Sequence, residues 1–326
     1  MIRLGLIGCG EHSESGHATP LARYKSLHPA DIELTAACDL NLDRAQLFCR
    51  SYGFMHAYQD LNEMLGRHSL DGCIAVVPVE RISELGIKLL HLGLPCVIEK
   101  PLGASLGEGK ALLEATRATH TLNMVSVNRR FMPFLSRAQE WVRVAGPLRY
   151  VRCTMTRNAR REPEFLWATA VHAVDALRHI AGDVADASIR VLGPTSRTPK
   201  WYAIDFHFQN GLSGRLDVLP TAGMLEETYE LIGEGFRAVV TGPFGPERGL
   251  HCFRDNRVEL AECASDQTPE DVLNGCFDEA AEFISALVNN RPARPSIEEV
   301  FPSIELCFEM AKTLSEERSN TTPAKI

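Results

Sequence analysis

The sequence has no paired-cysteine motif. Its ten cysteines, at positions 9, 38, 49, 73, 96, 153, 252, 263, 276 and 307, include no CxxC spacing, so a structural zinc site has no cysteine framework and no metal is expected. Cys38, Cys73 and Cys96 lie in apolar runs, where free thiols in a reducing cytosol behave as small hydrophobes. Long apolar runs are missing too. The longest, Cys73 to Val79, falls far short of the roughly 20 residues that span a bilayer. The N-terminus has one Arg and an apolar stretch broken by glycines, unlike a secretory signal. Nor is there an excess of positive charge: 34 Lys and Arg stand against 42 Asp and Glu, for a net charge of -8. That excludes nucleic acid as the main partner, because phosphate binding needs clustered cations. A cytoplasmic protein with no membrane partner is expected.

What is present is an ordinary globular composition, 45% hydrophobic and 23% charged over 326 residues, enough for two domains. From residue 1 to about 127, near-continuous apolar runs (Arg3–Ile7, Ile32–Ala37, Cys73–Val77, Pro95–Ile98, Leu122–Val127) alternate with helical patterns. Such runs fit strands buried on both faces. The helices are expected over Asn41–Tyr52, over Arg81–Leu92, and over Ser105–Thr119 behind a Ser105/Glu108 capping box. The alternation predicts βαβ units and a doubly wound parallel sheet. Residues 128–326 read differently, with seven strand-like segments between Leu148 and Leu260 and an Asn210-Gly211 hairpin signal. Helices are expected over Asp271–Val288 and Ile297–Ser315, the latter able to pack back on the first domain, with a loose Ser-Asn-Thr-Thr tail after it. An α+β domain with an open, mostly antiparallel sheet is the expectation.

Gly8-Cys9-Gly10 follows the first strand, where a dinucleotide's diphosphate meets a helix N-terminus. The third glycine of GxGxxG is replaced by Ser13. Glu14-Ser15-Gly16 is expected to lengthen the loop before a helix starting at Thr19-Pro20. Asp39 ends the second strand, where a carboxylate accepts hydrogen bonds from ribose hydroxyls and repels a 2′-phosphate; capping the next helix is the alternative. Arg44 is the nearby cation that could soften a preference for NAD over NADP. The fourth strand ends in Glu99-Lys100-Pro101, which puts an ammonium at the carboxyl edge of the sheet, able to polarise a substrate oxygen.

These residues, together with Asn128-Arg129-Arg130-Phe131 and His172-Ala173-Val174-Asp175, resemble the glucose–fructose oxidoreductase / inositol dehydrogenase / rhizopine-catabolism family in order and spacing over nearly the whole chain. The resemblance implies a Rossmann domain, an α+β substrate and oligomerisation domain, a homodimer or homotetramer, and NAD(P)-dependent chemistry on sugars, cyclitols and related compounds. It makes Lys100 catalytic, with His172 as acid/base and Asp175 beside it. The expected cofactor contacts are Gly8, Gly10, Ser13, Asp39, Pro78, Glu99 and Lys100. Members carry Asp-x-x-x-His-x-x-Asp at the histidine motif, and here the first Asp is Ala168; Thr169 is the candidate substitute. Arg149, Arg152, Arg157, Arg160 and Arg161 concentrate positive charge before that helix, so Arg157 is a candidate anion clamp. Trp167 is a candidate platform for a sugar face. Two other readings stay open: an NAD-dependent glycosidase on the same scaffold, and a non-catalytic dinucleotide-binding regulator.

Overall fold

The computed structural model describes residues 1–193 and 199–320, with side chains to Ser315. The end of the expected loose tail, Thr321 and Thr322, lies outside the described residues. The chain divides into two compact units, 1–128 with 270–302 and 129–269 with Ser303 onward. No helix among the described residues is long and apolar enough to cross a membrane.

The first unit holds six strands: β1 (Ile2–Ile7), β2 (Ile32–Cys38), β3 (His56–Tyr58), β4 (Gly72–Ala75), β5 (Cys96–Glu99) and β6 (Asn123–Ser126). They form one sheet in the order β3-β2-β1-β4-β5-β6, with every pairing parallel. Leu4, Leu6, Ala36, Ile74, Ile98 and Val125 are all buried, as a sheet covered on both faces requires. The order reverses between β1 and β4, which opens a crevice at the carboxyl ends of those strands. Asn41, rather than Asp39, caps helix Leu42–Tyr52 by accepting from the Arg44 N–H. Strand β3 and helix Leu61–Arg67 escape the pattern reading because each is short and half-exposed.

Residues 270–302, assigned by the sequence pattern to the second domain, cluster with this unit. Strand β6 would otherwise present an unpaired edge. The Val125 N–H donates to the Pro295 carbonyl at 2.9 Å, and Asn123 Oδ1 accepts from the Ile297 N–H at 2.8 Å. Arg23 grips Asp271 with two bonds of 2.7 and 2.9 Å. The expected single helix from Asp271 breaks at Gly275, φ +86°, into Glu270–Leu273 and Cys276–Val288. The second piece buries Phe283 against Gly72, where a Cβ would come within 3.1 Å of the ring.

The second unit holds an eight-stranded sheet. Its strands are β7 (Leu148–Thr156), β8 (Val184–Leu192), β9 (Trp201–Phe208), β10 (Ser213–Leu219), β11 (Glu226–Gly233), β12 (Phe236–Thr241), β13 (Gly249–Arg254) and β14 (Arg257–Cys263). The order is β14-β13-β12-β11-β7-β10-β9-β8, antiparallel except for the β7–β10 pair. Alternation sorts the faces. Val151, Cys153 and Met155 of β7 are buried, while Arg152 belongs to a half-exposed row that runs Glu230, Arg152, Arg215, Asp205 across four strands.

On the buried side, Glu227 of β11 is fully enclosed. Arg129 donates to it through Nε and Nη2 (3.0 and 2.6 Å), Arg157 through Nη2 (2.6 Å) and Tyr229 through its hydroxyl (2.7 Å). Phe244 covers both guanidinium groups, 5.2 and 5.7 Å from its ring centre. Burial alone would raise the Glu227 carboxyl, but the two arginines and Tyr229 outweigh it and hold it at about 2. A folded-state value below the ordinary one means the ion pair stabilises fully above about pH 4.5 and is lost as pH falls toward about 2. Glu227→Gln should cost about 3 kcal/mol near neutrality, because two arginines stay buried without their anion. Its penalty should shrink in acid; denaturant unfolding of both proteins between neutral and acid pH checks this, and equal stability at neutrality would refute the assignment.

Candidate active site

The site on the first unit begins where β1 ends. Gly8 has φ +92°, and a Cβ there would lie 1.8 Å from the Val76 carbonyl oxygen, so no other residue lets β1 turn this close to β4. The Gly8 N–H donates to the Cys38 carbonyl at 2.8 Å, and the Cys9 N–H donates to Asp39 Oδ2 at 2.9 Å. Asp39 Oδ1 accepts from the Asn41 N–H at 2.8 Å, and Arg44 Nη1 stands 3.7 Å from Oδ2. Asp39 thus ties the glycine turn to the end of β2. Cys9 is buried under the turn, and burial, reinforced by Asp39, pushes its thiol up to about 12. It is inert packing.

Three features fit a bound dinucleotide. A Cβ built on Gly10 would meet no atom within 4 Å, which leaves open space above the turn. A helix begins at once at Glu11 and presents its first N–H groups. Ser13 is buried one turn in, and its Oγ has no hydrogen-bond partner among the described residues.

The expected loop over Glu14-Ser15-Gly16 is not there. Glu11–Ser13 is α-helical, Glu14–Ala18 is a π turn and Thr19–Leu27 continues as α-helix. On an α-helix His12 and His17, five residues apart, would point about 140° apart; the wider π turn brings both to one side. There they meet Glu99, the last residue of β5. His12 Nε2 lies 3.0 Å and His17 Nε2 2.6 Å from the same oxygen, Oε1. The second oxygen, Oε2, accepts from the Lys100 N–H at 3.2 Å. Burial would raise the Glu99 carboxyl, but the two histidines hold it well below the usual carboxylate range.

Lys100 follows, half-buried, in a cis peptide with Pro101. Pro78, which is exposed, occupies the N-cap position of helix Val79–His91 just after β4. Gly8, Pro78 and Lys100 therefore mark the carboxyl ends of the three adjacent strands β1, β4 and β5.

The remaining candidates belong to the second unit. His172 is half-buried in the first turn of helix Val171–Ala181, its backbone N–H on the Thr169 carbonyl at 3.2 Å. Asp175 is fully buried three residues on. Arg130 donates to it through Nε and Nη2 at 2.7 and 2.8 Å, and Ser303 Oγ at 2.8 Å. The clamp residue Arg157 points inward to Glu227. Trp167 stacks on Phe308 with ring centres 5.1 Å apart. The pattern reading missed His12, His17, Glu227 and Ser303; the five-residue histidine spacing is unreadable without the π turn, and the other two signal nothing locally.

Residues 2–128 match the Gfo/Idh/MocA family model, described as an oxidoreductase family with an NAD-binding Rossmann fold. Over its length it is 25% identical to 4-carboxy-2-hydroxymuconate-6-semialdehyde dehydrogenase of Sphingobium sp., with 97% of this chain and 100% of that protein aligned. It is 23% identical to myo-inositol 2-dehydrogenase of Thermotoga maritima, with 98% of each aligned. The solved structure of a levoglucosan dehydrogenase in complex with NADH and levoglucosan shares the fold at a TM-score of 0.79 and 17% identity, covering 97% of this chain and 98% of that one.

The two glycines separate packing from binding. Gly8→Ala should destabilise the fold by more than the about 1–3 kcal/mol of its backbone strain, because the methyl also collides with the Val76 carbonyl. Gly10→Ala should fold normally yet lose stabilisation by NADH, since its methyl would fill the open space. Thermal midpoints with and without NADH test both; a Gly10→Ala protein still stabilised by NADH would show that the dinucleotide lies elsewhere.

Proposed function

We propose that the protein is an NAD-dependent dehydrogenase that interconverts a hydroxyl and a ketone on a sugar, cyclitol or related compound. The observation that carries this reading is Lys100, held at the carboxyl end of β5 beside the glycine turn by the buried Glu99. The relatives named myo-inositol 2-dehydrogenase and levoglucosan dehydrogenase support the substrate class. A bound nicotinamide dinucleotide supplies the hydride acceptor. Everything else falls to the chain. Lys100 polarises the substrate oxygen and handles its proton, and His172 is the second proton-handling group. Asp175, gripped by Arg130 and Ser303, acts by holding the helix that carries His172. Asp39 favours NAD over NADP, because Arg44, the nearby cation, already faces its carboxylate and a 2′-phosphate would meet negative charge.

Lys100→Met should lower turnover by at least about a hundredfold, the usual worth of a positioned proton-transfer group, while leaving stabilisation by NADH intact. A polyol panel assayed with NAD, beside thermal midpoints with NADH and NADPH, is the test. Unchanged turnover would remove Lys100 from the reaction, and stabilisation by neither dinucleotide would remove the dehydrogenase reading altogether.

A further inference from the structure

We propose that His12, His17 and Glu99 form a binding site for a single divalent transition-metal ion of the zinc type. Their three ligand atoms lie within 4.8 Å of one another. They come from two rigid elements, the helix after the glycine turn and the end of β5. Two imidazoles and one carboxylate are a donor set that zinc accepts in sites that keep one position open. The rings stand nearly perpendicular, 87° apart, so their Nε2 atoms converge on one point instead of stacking.

The carboxylate is prepared for the same point. Its Oε2 is held by the Lys100 N–H, which leaves Oε1 alone to face both histidines. A second contact of this kind is what orients a ligating carboxylate. Burial is graded. The His17 and Glu99 side chains are 6% and 7% exposed, whereas His12 is 61% exposed and leaves a way in from solvent. Both Nε2 atoms meet the same oxygen, the closer at 2.6 Å, and one divalent ion would take three of its ligands from these atoms. The π turn adds its own support. It costs regular helix geometry, and it is what puts residues 12 and 17 on one side.

Glu99 also holds Lys100, so the test avoids turnover and reads metal uptake directly. The full-length protein, carrying Cys263→Ser to remove the one exposed cysteine among the described residues, is stripped with chelator. It is then titrated with Zn2+ against a chromophoric competitor, and separately with Co2+ followed by visible absorption. One equivalent should bind, the Co2+ spectrum should show tetrahedral intensity, and Zn2+ should raise the thermal midpoint. His12→Ala changes an exposed side chain and should fold; it should weaken Zn2+ affinity at least about tenfold, the low end of what even an outer partner is worth. Glu99→Gln should abolish uptake. The proposal is overturned if the Cys263→Ser protein takes up no stoichiometric Zn2+, or if uptake persists unchanged in His12→Ala.

Discussion

A carboxylate buried at the end of a parallel strand must find donors inside the protein, because water is not there to hydrate it. Glu99 sets that demand in the first unit. Its partners, His12 and His17, come from the helix that follows the glycine turn, and reaching it forces that helix to widen over Glu14–Ala18. The widened turn, the register of the helix against β5 and the backbone of Lys100 are one coupled solution. Gly8 supplies the other half of the constraint, since β1 can approach β4 this closely only without a side chain. The glycine turn and the lysine are thus fixed at the ends of strands β1 and β5 of one sheet.

The second unit solves the same problem with guanidinium groups. Arg129 and Arg130 are neighbours in one short turn, Asn128–Phe131, yet each grips a different buried carboxylate. Arg129 reaches Glu227 on β11, and Arg130 reaches Asp175 on helix Val171–Ala181. Forked donors suit this, because each guanidinium offers two parallel N–H groups to one carboxylate and fixes its plane. One turn therefore sets the helix bearing His172 relative to the sheet. Replacing either arginine by lysine would keep the charge and lose the geometry.

Much of this was legible in the residues. The order of apolar runs and helices gave the parallel sheet, and the glycine turn, Asp39 and Glu99-Lys100-Pro101 fell at strand ends where the chemistry needs them. Illegible parts share a cause: they depend on contacts distant in sequence. The return of residues 270–302 to the first unit is decided by the open edge of β6, which no local pattern records. His12 and His17 look unrelated at a spacing of five until the π turn is seen. Glu227 sits in an alternating strand where a charged residue reads as solvent-facing, and only Arg129 and Arg157, about 98 and 70 residues away, explain why it points inward.

Burial then sorts charged residues that composition cannot. Arg157 and Asp175 look available in the sequence, one as an anion clamp and the other as a site residue beside His172. In the fold both are enclosed and engaged by partners of opposite charge, and breaking such a pair to contact a ligand would strand a buried ion. Lys100 and His172 differ in kind. Each is half-buried. Full pairing fixes a buried carboxylate in place, whereas partial exposure leaves a titratable group able to exchange its proton with solvent, because positioning and proton handling make opposite demands on solvent access.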